Sequence, residues 1–209
     1  MHKQTEYAII IPVMKMKVYF VRHGQSQANL DGMFAGQTDA KLTDLGRAQA
    51  EAIRPILAGI PFDKVYSSDL SRAYETQSIA LPGYEPEKLP QLREIDVGNL
   101  AGQSIAAVAA AHGGITPTSR SGDYTPFGGE NWPMMDARVG EFLKMLEQQP
   151  YENVAVFAHR GVLMSTIRNL LDIDAFHTGT VFCDNCAVNV LEYTGKFWRI
   201  LALNYGRKI

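Results

Sequence analysis

Two short apolar runs in this chain each end abruptly in a charged motif that contains a histidine. The first run, Val18–Val21, contains only β-branched and aromatic residues, as in a strand buried on both faces, and it leads directly into Arg-His-Gly. The second run, 153–158, leads in the same way into His-Arg-Gly. Ligands of open α/β sheets bind beyond the carboxyl ends of the strands. The pattern would place His23 and His159 face to face in one charged pocket, although on this evidence alone His159 could also be an ordinary histidine at a strand end.

Segments with helical periodicity separate the predicted strands. Apolar residues recur every three or four positions between 45 and 60, which predicts a helix that Thr43 caps and that Pro55 kinks or ends. A second helix is predicted over 69–80, with Ser68 or Asp69 as its cap. The other predicted helices are 103–111, 133–146 and 162–171, and the other predicted strands are 64–68, 187–193 and 198–203. The face of the first helix that is predicted to be buried consists of Leu45, Ala48, Ala52, Ile53, Ile56, Leu57 and Ile60.

Composition indicates one globular domain. The 209 residues are 46% hydrophobic and 20% charged, and neither an internal repeat nor a linker is evident. The net charge of −2 gives no reason to expect nucleic acid or an anionic membrane as a partner, so any attraction for an anionic substrate has to be local. We find no apolar run long enough to span a bilayer, and we expect no secretory signal because no small-residue cleavage pattern follows the apolar run near the amino end. Residues 1–15 are interpreted as an N-terminal extension of a domain over 16–209, because Met14 or Met16 could be the native start.

The cysteines Cys183 and Cys186 form a C-x-x-C pair. A zinc site needs more ligands than this pair supplies, and a redox pair of the thioredoxin kind should open a helix, whereas this pair precedes a predicted strand. We therefore expect a structural pair. A fold with so few cysteines does not depend on disulfides, which predicts a reducing, cytoplasmic location.

The first charged motif suggests phosphoryl chemistry. The guanidinium of Arg22 can grip a phosphate or carboxylate through paired donors, and a neutral imidazole at His23 is a competent nucleophile near neutral pH. Asn29 adds a neutral donor. Arg72 lies in the first turn of a predicted helix, where it would strengthen an anion site. On these residues alone, the motif could also be an ordinary loop and Arg72 a solvated surface arginine.

Three motifs in combination resemble the histidine phosphatase superfamily, also called the phosphoglycerate mutase-like family. They are Val21–Asn29, Gly36–Asp39 and Leu42–Ala50, and the resemblance extends over nearly the whole chain from about Met16. The resemblance implies an α/β fold: a single three-layer domain with a mostly parallel central sheet flanked by helices. It also implies the phosphatase branch of the family.

The resemblance assigns roles to particular residues. It implies that His23 is the nucleophile and that Arg72, within a Ser-Ser-Asp-Leu-Ser-Arg-Ala segment, is the second arginine that grips phosphate. His159 matches the second catalytic histidine, and Glu94 matches the proton donor, with Asp96 as the alternative acid. The predicted catalytic residues are Arg22, His23, Arg72, Glu94 and His159, and the predicted substrate-binding residues are Arg22, Asn29, Gln37, Arg72, Glu94, His159 and Arg160.

The chain departs from the family pattern at three places. Leu100–Gly102 stands where the family usually has Trp-Glu-Gly, Asn131 replaces a serine or threonine after Gly-Gly-Glu, and Arg160 replaces a glycine. Arg160 could add positive charge to the pocket or point outward. The loop over 115–130 lacks periodicity and could act as a lid, with Arg120 and Tyr124 within reach of the substrate. Asn185 resembles a polar position near the family site.

These features predict a metal-independent phosphomonoester hydrolase that acts on a small phosphorylated metabolite through a phosphohistidine. No cofactor is expected, and no metal, because the other histidines, His2, His112 and His177, lack carboxylate partners at regular spacing. A homodimer is compatible with the sequence. The alternatives are a phosphoglycerate mutase and a catalytically inactive phosphate-binding module of the same fold. The mutase has a different motif around the acid, similar to Asn-Glu-Arg-His-Tyr-Gly, where this chain has Arg-Glu-Ile-Asp-Val-Gly.

Overall fold

A single mixed sheet organises the molecule, as seen in a computed structural model that describes residues 15–114, 122–173 and 181–206. The six strands lie in the order β3-β2-β4-β1-β5-β6. Strands β1 to β4 are mutually parallel, and β5 and β6 complete the sheet in antiparallel pairing. The strands are β1 Met16–Arg22, β2 Lys64–Ser67, β3 Glu87–Lys88, β4 Asn153–Ala158, β5 Val188–Tyr193 and β6 Trp198–Tyr205.

Helices cover both faces of this sheet. The described α-helices are α1 Gln27–Leu30, α2 Asp44–Ala52, α3 Arg54–Leu57, α4 Ser71–Ala80, α5 Ile105–Ala111, α6 Trp132–Glu147 and α7 Arg160–Leu171. Short 3-10 turns lie at Pro90–Leu92, Gly98–Leu100 and Thr125–Phe127. One core cluster packs α6 and α7 on one face of the sheet, and a second packs α2, α3 and α4 on the other. The predicted three-layer α/β fold with a mostly parallel sheet is confirmed. Within the described ranges, none of the helices combines the length and the apolar character needed to cross a membrane.

The buried face predicted for the segment over 45–60 is confirmed at Ile53 and Leu57, which are buried, and at Ile56 and Ile60, which pack against the same core cluster, but it was wrong at its start. Leu45 is 39% exposed and Ala48 is exposed, whereas Gly46 and Ala50 face inward. The cause is a close approach of the chain, because a Cβ built on Gly46 would lie 2.1 Å from the carbonyl oxygen of Gln25. The helix therefore turns its glycine, rather than its leucine, towards the loop at Gln25. The predicted interruption is confirmed, since α2 ends before Ile53 and α3 carries Pro55 in its first turn.

The predicted start of the helix over 69–80 was also wrong. Helix α4 begins at Ser71, whose backbone N–H donates to Oδ1 of Asp39 at 2.8 Å, and neither Ser68 nor Asp69 is its N-cap residue. Asp69 instead accepts hydrogen bonds from the guanidinium of Arg93. The hydroxyl of Ser68 is 2.9 Å from a ring nitrogen of His159. Tertiary partners thus occupy both predicted caps. The cap Thr43 lies where the sequence predicts it, and Asn131 caps helix α6.

Candidate active site

The carboxyl ends of three neighbouring parallel strands meet at the site. Strand β4 lies between β2 and β1 in the sheet. The backbone N–H of His23 donates to the carbonyl of Ala158 at 3.0 Å, and that of Ser68 donates to the carbonyl of Phe157 at 2.9 Å. The ring centroids of His23 and His159 are 5.1 Å apart. The sheet therefore brings together the two histidines that the sequence places 136 positions apart.

The tautomer of His23 follows from one hydrogen bond. Its Nδ1 lies 2.7 Å from the carbonyl oxygen of Gly24. Because a carbonyl only accepts, Nδ1 carries the proton and Nε2 keeps the lone pair. Burial, and then the positive charges of Arg72 and Arg22, hold the pKa of His23 well below its ordinary value. The ring is thus a neutral imidazole whose Nε2 is available as a nucleophile.

We expect folded His23 and His159 to be neutral at about pH 6.5, the ordinary histidine pKa, at which half of a free imidazole population is protonated. The pKa of His159 is also held well below its ordinary value, first by burial and then by Arg72, His23, Arg22 and Arg138. ¹⁵N NMR of imidazole-labelled protein measures this directly, with the urea-unfolded chain as reference. An imidazolium signal from folded His23 at that pH would contradict the expectation.

The same pKa shifts fix the sign of the pH effect on stability. Between the lowered folded pKa values and the unfolded value of about 6.5, the unfolded chain binds more protons than the folded chain. The free energy of unfolding should therefore be highest, as far as these two histidines are concerned, above about pH 6.5. It should decrease as the pH falls from there towards the pKa values of the folded protein.

Arg22 is held by the turn that contains the C-x-x-C pair. Its Nη1 donates to the carbonyl of Cys183 at 2.6 Å. The backbone N–H of Cys186 donates to the carbonyl of Arg22, and the side chain of Asn185 donates to that of His23 at 3.0 Å. Both thiols are free and buried, and burial raises the pKa of Cys186 to about 12. These contacts agree with a structural role for the pair, which shapes the wall beside the two predicted catalytic residues.

Arg72 is a buried cation, only 1% exposed, with a fixed guanidinium. Its Nη1 donates to the carbonyl of Thr38 and its Nη2 to the carbonyl of Gly36, each at 2.8 Å. Burial lowers the pKa of Arg72 from its ordinary value, but no base in these contacts removes its proton. The motif at Gly36–Asp39 thus orients the arginine. The remaining guanidinium donors are available for an anion.

The carboxyl of Glu94 lies against the first turn of helix α7. Its Oε1 accepts from the backbone N–H of Ile95 at 2.9 Å, and its Oε2 accepts from that of Gly161 at 3.3 Å. A Cβ built on Gly161 would lie 2.0 Å from Oε1 of Glu94, so any side chain at 161 would displace the carboxyl. Gly161 therefore leaves the space that the carboxyl of Glu94, the predicted acid, occupies.

Arg138 is a positioning residue that the sequence did not reveal. Its guanidinium donates to the carbonyls of Arg93 and Glu94, at 2.8 and 3.1 Å, and to both carboxylate oxygens of Glu130. Burial would raise the pKa of Glu130, but the bonds from Arg138 and from the N–H of Asp96 hold it below its ordinary value. This ion pair fastens the segment that carries Glu94. The only signal in the sequence is an arginine beside the buried residues of α6, which does not identify its partners.

Asp96, the alternative acid, is engaged in a local turn. Its Oδ1 accepts from the backbone N–H of Gly98 at 2.9 Å, and its own N–H donates to Glu130. Arg93 donates to the side chain of Gln37 at 3.5 Å, and the side chain of Gln37 contributes to lowering the pKa of Glu130. These contacts put Gln37 beside the acid-bearing segment.

Asn29 lies next to the nucleophile loop. Its Oδ1 accepts from the backbone N–H of Ser26 at 3.2 Å and from the amide of Asn185 at 3.3 Å. With the oxygen occupied in this way, the amide nitrogen is the free end. Tyr124 packs edge to face against Phe34, with ring centroids 6.4 Å apart.

Arg160 is exposed at the first residue of α7. Burial lowers the pKa of Arg22, and the positive charge of Arg160 lowers it further, so Arg160 is within electrostatic reach of the site. Several predicted features lie outside the described residues: Arg120 and the loop over 115–121, His2, His177 and the extension up to 14. In the part of the chain that is described, no group of three or more His, Cys, Asp or Glu side chains is arranged to hold a metal ion.

Sequence comparison finds one matching family over most of the chain. The profile of the histidine phosphatase superfamily (branch 1) matches residues 18–206. The adenosylcobalamin/alpha-ribazole phosphatase of Escherichia coli is 28% identical over 195 residues, which cover 90% of this chain and 96% of that protein. The 2,3-bisphosphoglycerate-dependent phosphoglycerate mutase of Brucella ovis is 36% identical over 170 residues, which cover 75% of this chain and 82% of that protein.

Solved structures with the same fold include phosphatases. A mycobacterial glucosyl-3-phosphoglycerate phosphatase in complex with VO3 superposes with a TM-score of 0.81 at 25% identity, covering 91% of this chain and 100% of that chain. The alpha-ribazole phosphatase of Shigella flexneri superposes with a TM-score of 0.78 at 26% identity, covering 91% of this chain and 96% of that chain.

Proposed function

The chain belongs to the histidine phosphatase superfamily (branch 1), and we propose that it is a metal-independent phosphomonoesterase that acts through a phosphohistidine. One observation carries this proposal. A neutral imidazole, His23, has its Nδ1 proton bound to a carbonyl and its Nε2 free, beside a second imidazole and a buried, fixed arginine. That arrangement suits nucleophilic attack on an anionic phosphorus centre.

In the first step, Nε2 of His23 attacks phosphorus in line with the ester oxygen. The N–P bond forms as the P–O ester bond breaks, and Glu94 in its protonated form gives its proton to the departing oxygen. Arg22, Arg72 and His159, together with the amide of Asn29, offset charge on the phosphoryl oxygens. Phosphoryl transfer depends mostly on positioning and electrostatics, so these groups can fill the role that magnesium has elsewhere.

In the second step, water attacks the phosphohistidine. Glu94, now a carboxylate, accepts a proton from the water as the N–P bond breaks, and inorganic phosphate leaves with His23 restored to its neutral form. The backbone N–H groups of Ile95 and Gly161 hold the carboxyl of Glu94 in place. The same residue thus serves as acid and then as base.

The substrate is a small phosphorylated metabolite. Broad phosphomonoesters, sugar phosphates, phosphoglycerate and ribazole phosphate are the candidate classes, and the names of the phosphatase relatives fall within them. Release of inorganic phosphate from an aryl phosphate at mildly acidic and neutral pH tests the reaction class. A panel of phosphorylated metabolites, compared by kcat/KM, then identifies the substrate. Absence of phosphate release from every ester would contradict the proposal and favour the inactive phosphate-binding module.

The KM for a substrate with a second anionic group should depend on the positive charge of Arg160. We expect Arg160→Gly to raise KM for 3-phosphoglycerate roughly 2- to 5-fold while leaving KM for an aryl phosphate unchanged, because an exposed ion pair contributes up to about 1 kcal/mol. Arg160→Lys, which keeps the charge, is the matched control. Equal effects of the glycine variant on both substrates would argue that Arg160 does not contact substrate.

A phosphoglycerate mutase is the second candidate, favoured by the 36% identity to the mutase of Brucella ovis. A mutase returns the phosphoryl group to the substrate, whereas a phosphatase gives it to water. Incubation with a monophosphoglycerate, followed by separation of its isomer from free phosphate, distinguishes the two. We expect free phosphate to be the main product, because the motif around Glu94 differs from the mutase pattern.

We propose further that the protein works in the cytoplasm on soluble metabolites and has neither nucleic acid nor a membrane as partner. The two buried free thiols support a reducing compartment, and the net charge of −2 supports the absence of polyanionic partners. A homodimer is compatible with this proposal, and light scattering in solution would measure it.

A further inference from the structure

The second histidine has one bound nitrogen and one free nitrogen. His159 is completely buried, and its Nε2 lies 2.9 Å from the hydroxyl oxygen of Ser68. Its Nδ1 is buried and has no hydrogen-bond partner among the described residues. Buried polar atoms are normally paired, so an unpaired nitrogen on a ring 5.1 Å from the ring of the nucleophile marks an atom that is suited to bind substrate.

The direction of the hydrogen bond between these side chains follows from the other contacts of the serine. The hydroxyl oxygen of Ser68 accepts from the backbone N–H of Leu70 at 3.3 Å. Its proton has no acceptor among the described contacts other than Nε2 of His159. If Nε2 were the donor, the buried hydroxyl proton would be left unpaired, which costs about 1–3 kcal/mol. The serine is therefore the donor and Nε2 the acceptor.

We propose that Ser68 is a positioning residue that holds His159 in the tautomer with its proton on Nδ1. A neutral imidazole carries only one proton, so the bond at Nε2 decides what Nδ1 presents to the substrate. With the proton there, Nδ1 donates to an anionic phosphoryl oxygen. In the opposite tautomer, Nδ1 would present a lone pair to that oxygen and repel it. The consequence for turnover rests on the proposed phosphohistidine chemistry, but the tautomer itself does not.

The wild-type protein gives the first test. ¹⁵N NMR of imidazole-labelled protein above about pH 6.5 should show His159 with its proton on Nδ1. A signal with the proton on Nε2 would overturn the inference without any substitution. Because this measurement needs no substrate, it separates failure of the inference from failure of the proposed function, which would appear as absence of phosphoenzyme in the same wild-type preparation.

Ser68→Ala gives the second test, with Ser67→Ala as the matched control. Ser67 is equally buried, but its hydroxyl donates to the carbonyl of Ser68 rather than to a histidine. In Ser68→Ala we expect the Nδ1–H population of His159 to fall. We also expect the single-turnover rate of phosphoenzyme formation to fall about 10-fold, which is a smaller loss than the roughly 10²-fold or more that follows removal of a whole oxyanion donor. Ser67→Ala should keep the wild-type Nδ1–H population of His159 and the wild-type rate of phosphoenzyme formation. The same tautomer and the same rate in the two variants would contradict the inference.

Discussion

Replacing His23 with alanine should abolish the phosphoenzyme and reduce turnover by at least about 10⁴-fold, as expected when a covalent nucleophile is removed. The structure gives this expectation its physical basis. The ring of His23 is buried and neutral, and its Nδ1 proton is bound to a carbonyl, so Nε2 is the attacking atom. In the alanine variant, water would have to attack the ester directly, which removes the two-step route.

The measurement is rapid-quench labelling with a ³²P-labelled phosphate ester, combined with kcat/KM from phosphate release. His112→Ala is the control, because His112 caps helix α5 and its Nδ1 bonds, among the described residues, to the local carbonyl of Val108. It should label and turn over like the wild type. Labelling that persists in His23→Ala would show that another residue is the nucleophile.

Replacing Arg72 with alanine should lower kcat/KM about 10²-fold or more, since a preorganised donor to a developing anion contributes at least that much. Arg72 is fixed before substrate arrives by the carbonyls of Gly36 and Thr38, so little reorganisation opposes its action. The substitution also leaves these two acceptors without their donor. Stability should therefore fall by about 1–3 kcal/mol, which thermal unfolding would measure separately from the rate.

Arg72→Lys and Arg47→Ala sharpen this result. Lysine keeps the charge but not the forked donors, so we expect it to recover only part of the lost rate. Arg47 is a partly exposed arginine that pairs with Glu75 and Asp44 on the surface, so its loss should leave kcat/KM unchanged. Wild-type kcat/KM in a folded Arg72→Ala protein would show that Arg72 does not bind the phosphoryl group.

The sequence predicted the place of the site because the site depends on strand ends. An apolar run followed by His23, and another followed by His159, indicated the sheet edge, and the longer motifs around both histidines then singled it out as the candidate site. In the structure the register of β1 and β4 aligns Arg22 with Ala158, which brings the residues after both strands together. Here local pattern and global topology agree.

The supporting residues could not be predicted in this way. Arg138 contacts the backbone of Glu94 from a helix 44 positions later in the chain, and Ser68 contacts His159 across 91 positions. Taken locally, Ser68 has the character of a helix cap, which is why the start of α4 was predicted too early. Only tertiary packing shows that its hydroxyl is used by the second histidine. The roles of the individual site residues remain predictions that the substitutions above test.

The position of the phosphoryl group on the protein tests the central claim most directly. Wild-type protein labelled with a ³²P phosphate ester, quenched under alkaline conditions and digested, should carry the label on the peptide that contains His23, attached to Nε2, because Nδ1 is bound to the carbonyl of Gly24. Label on His159, attachment to Nδ1 of His23, or hydrolysis without any phosphohistidine would contradict the account.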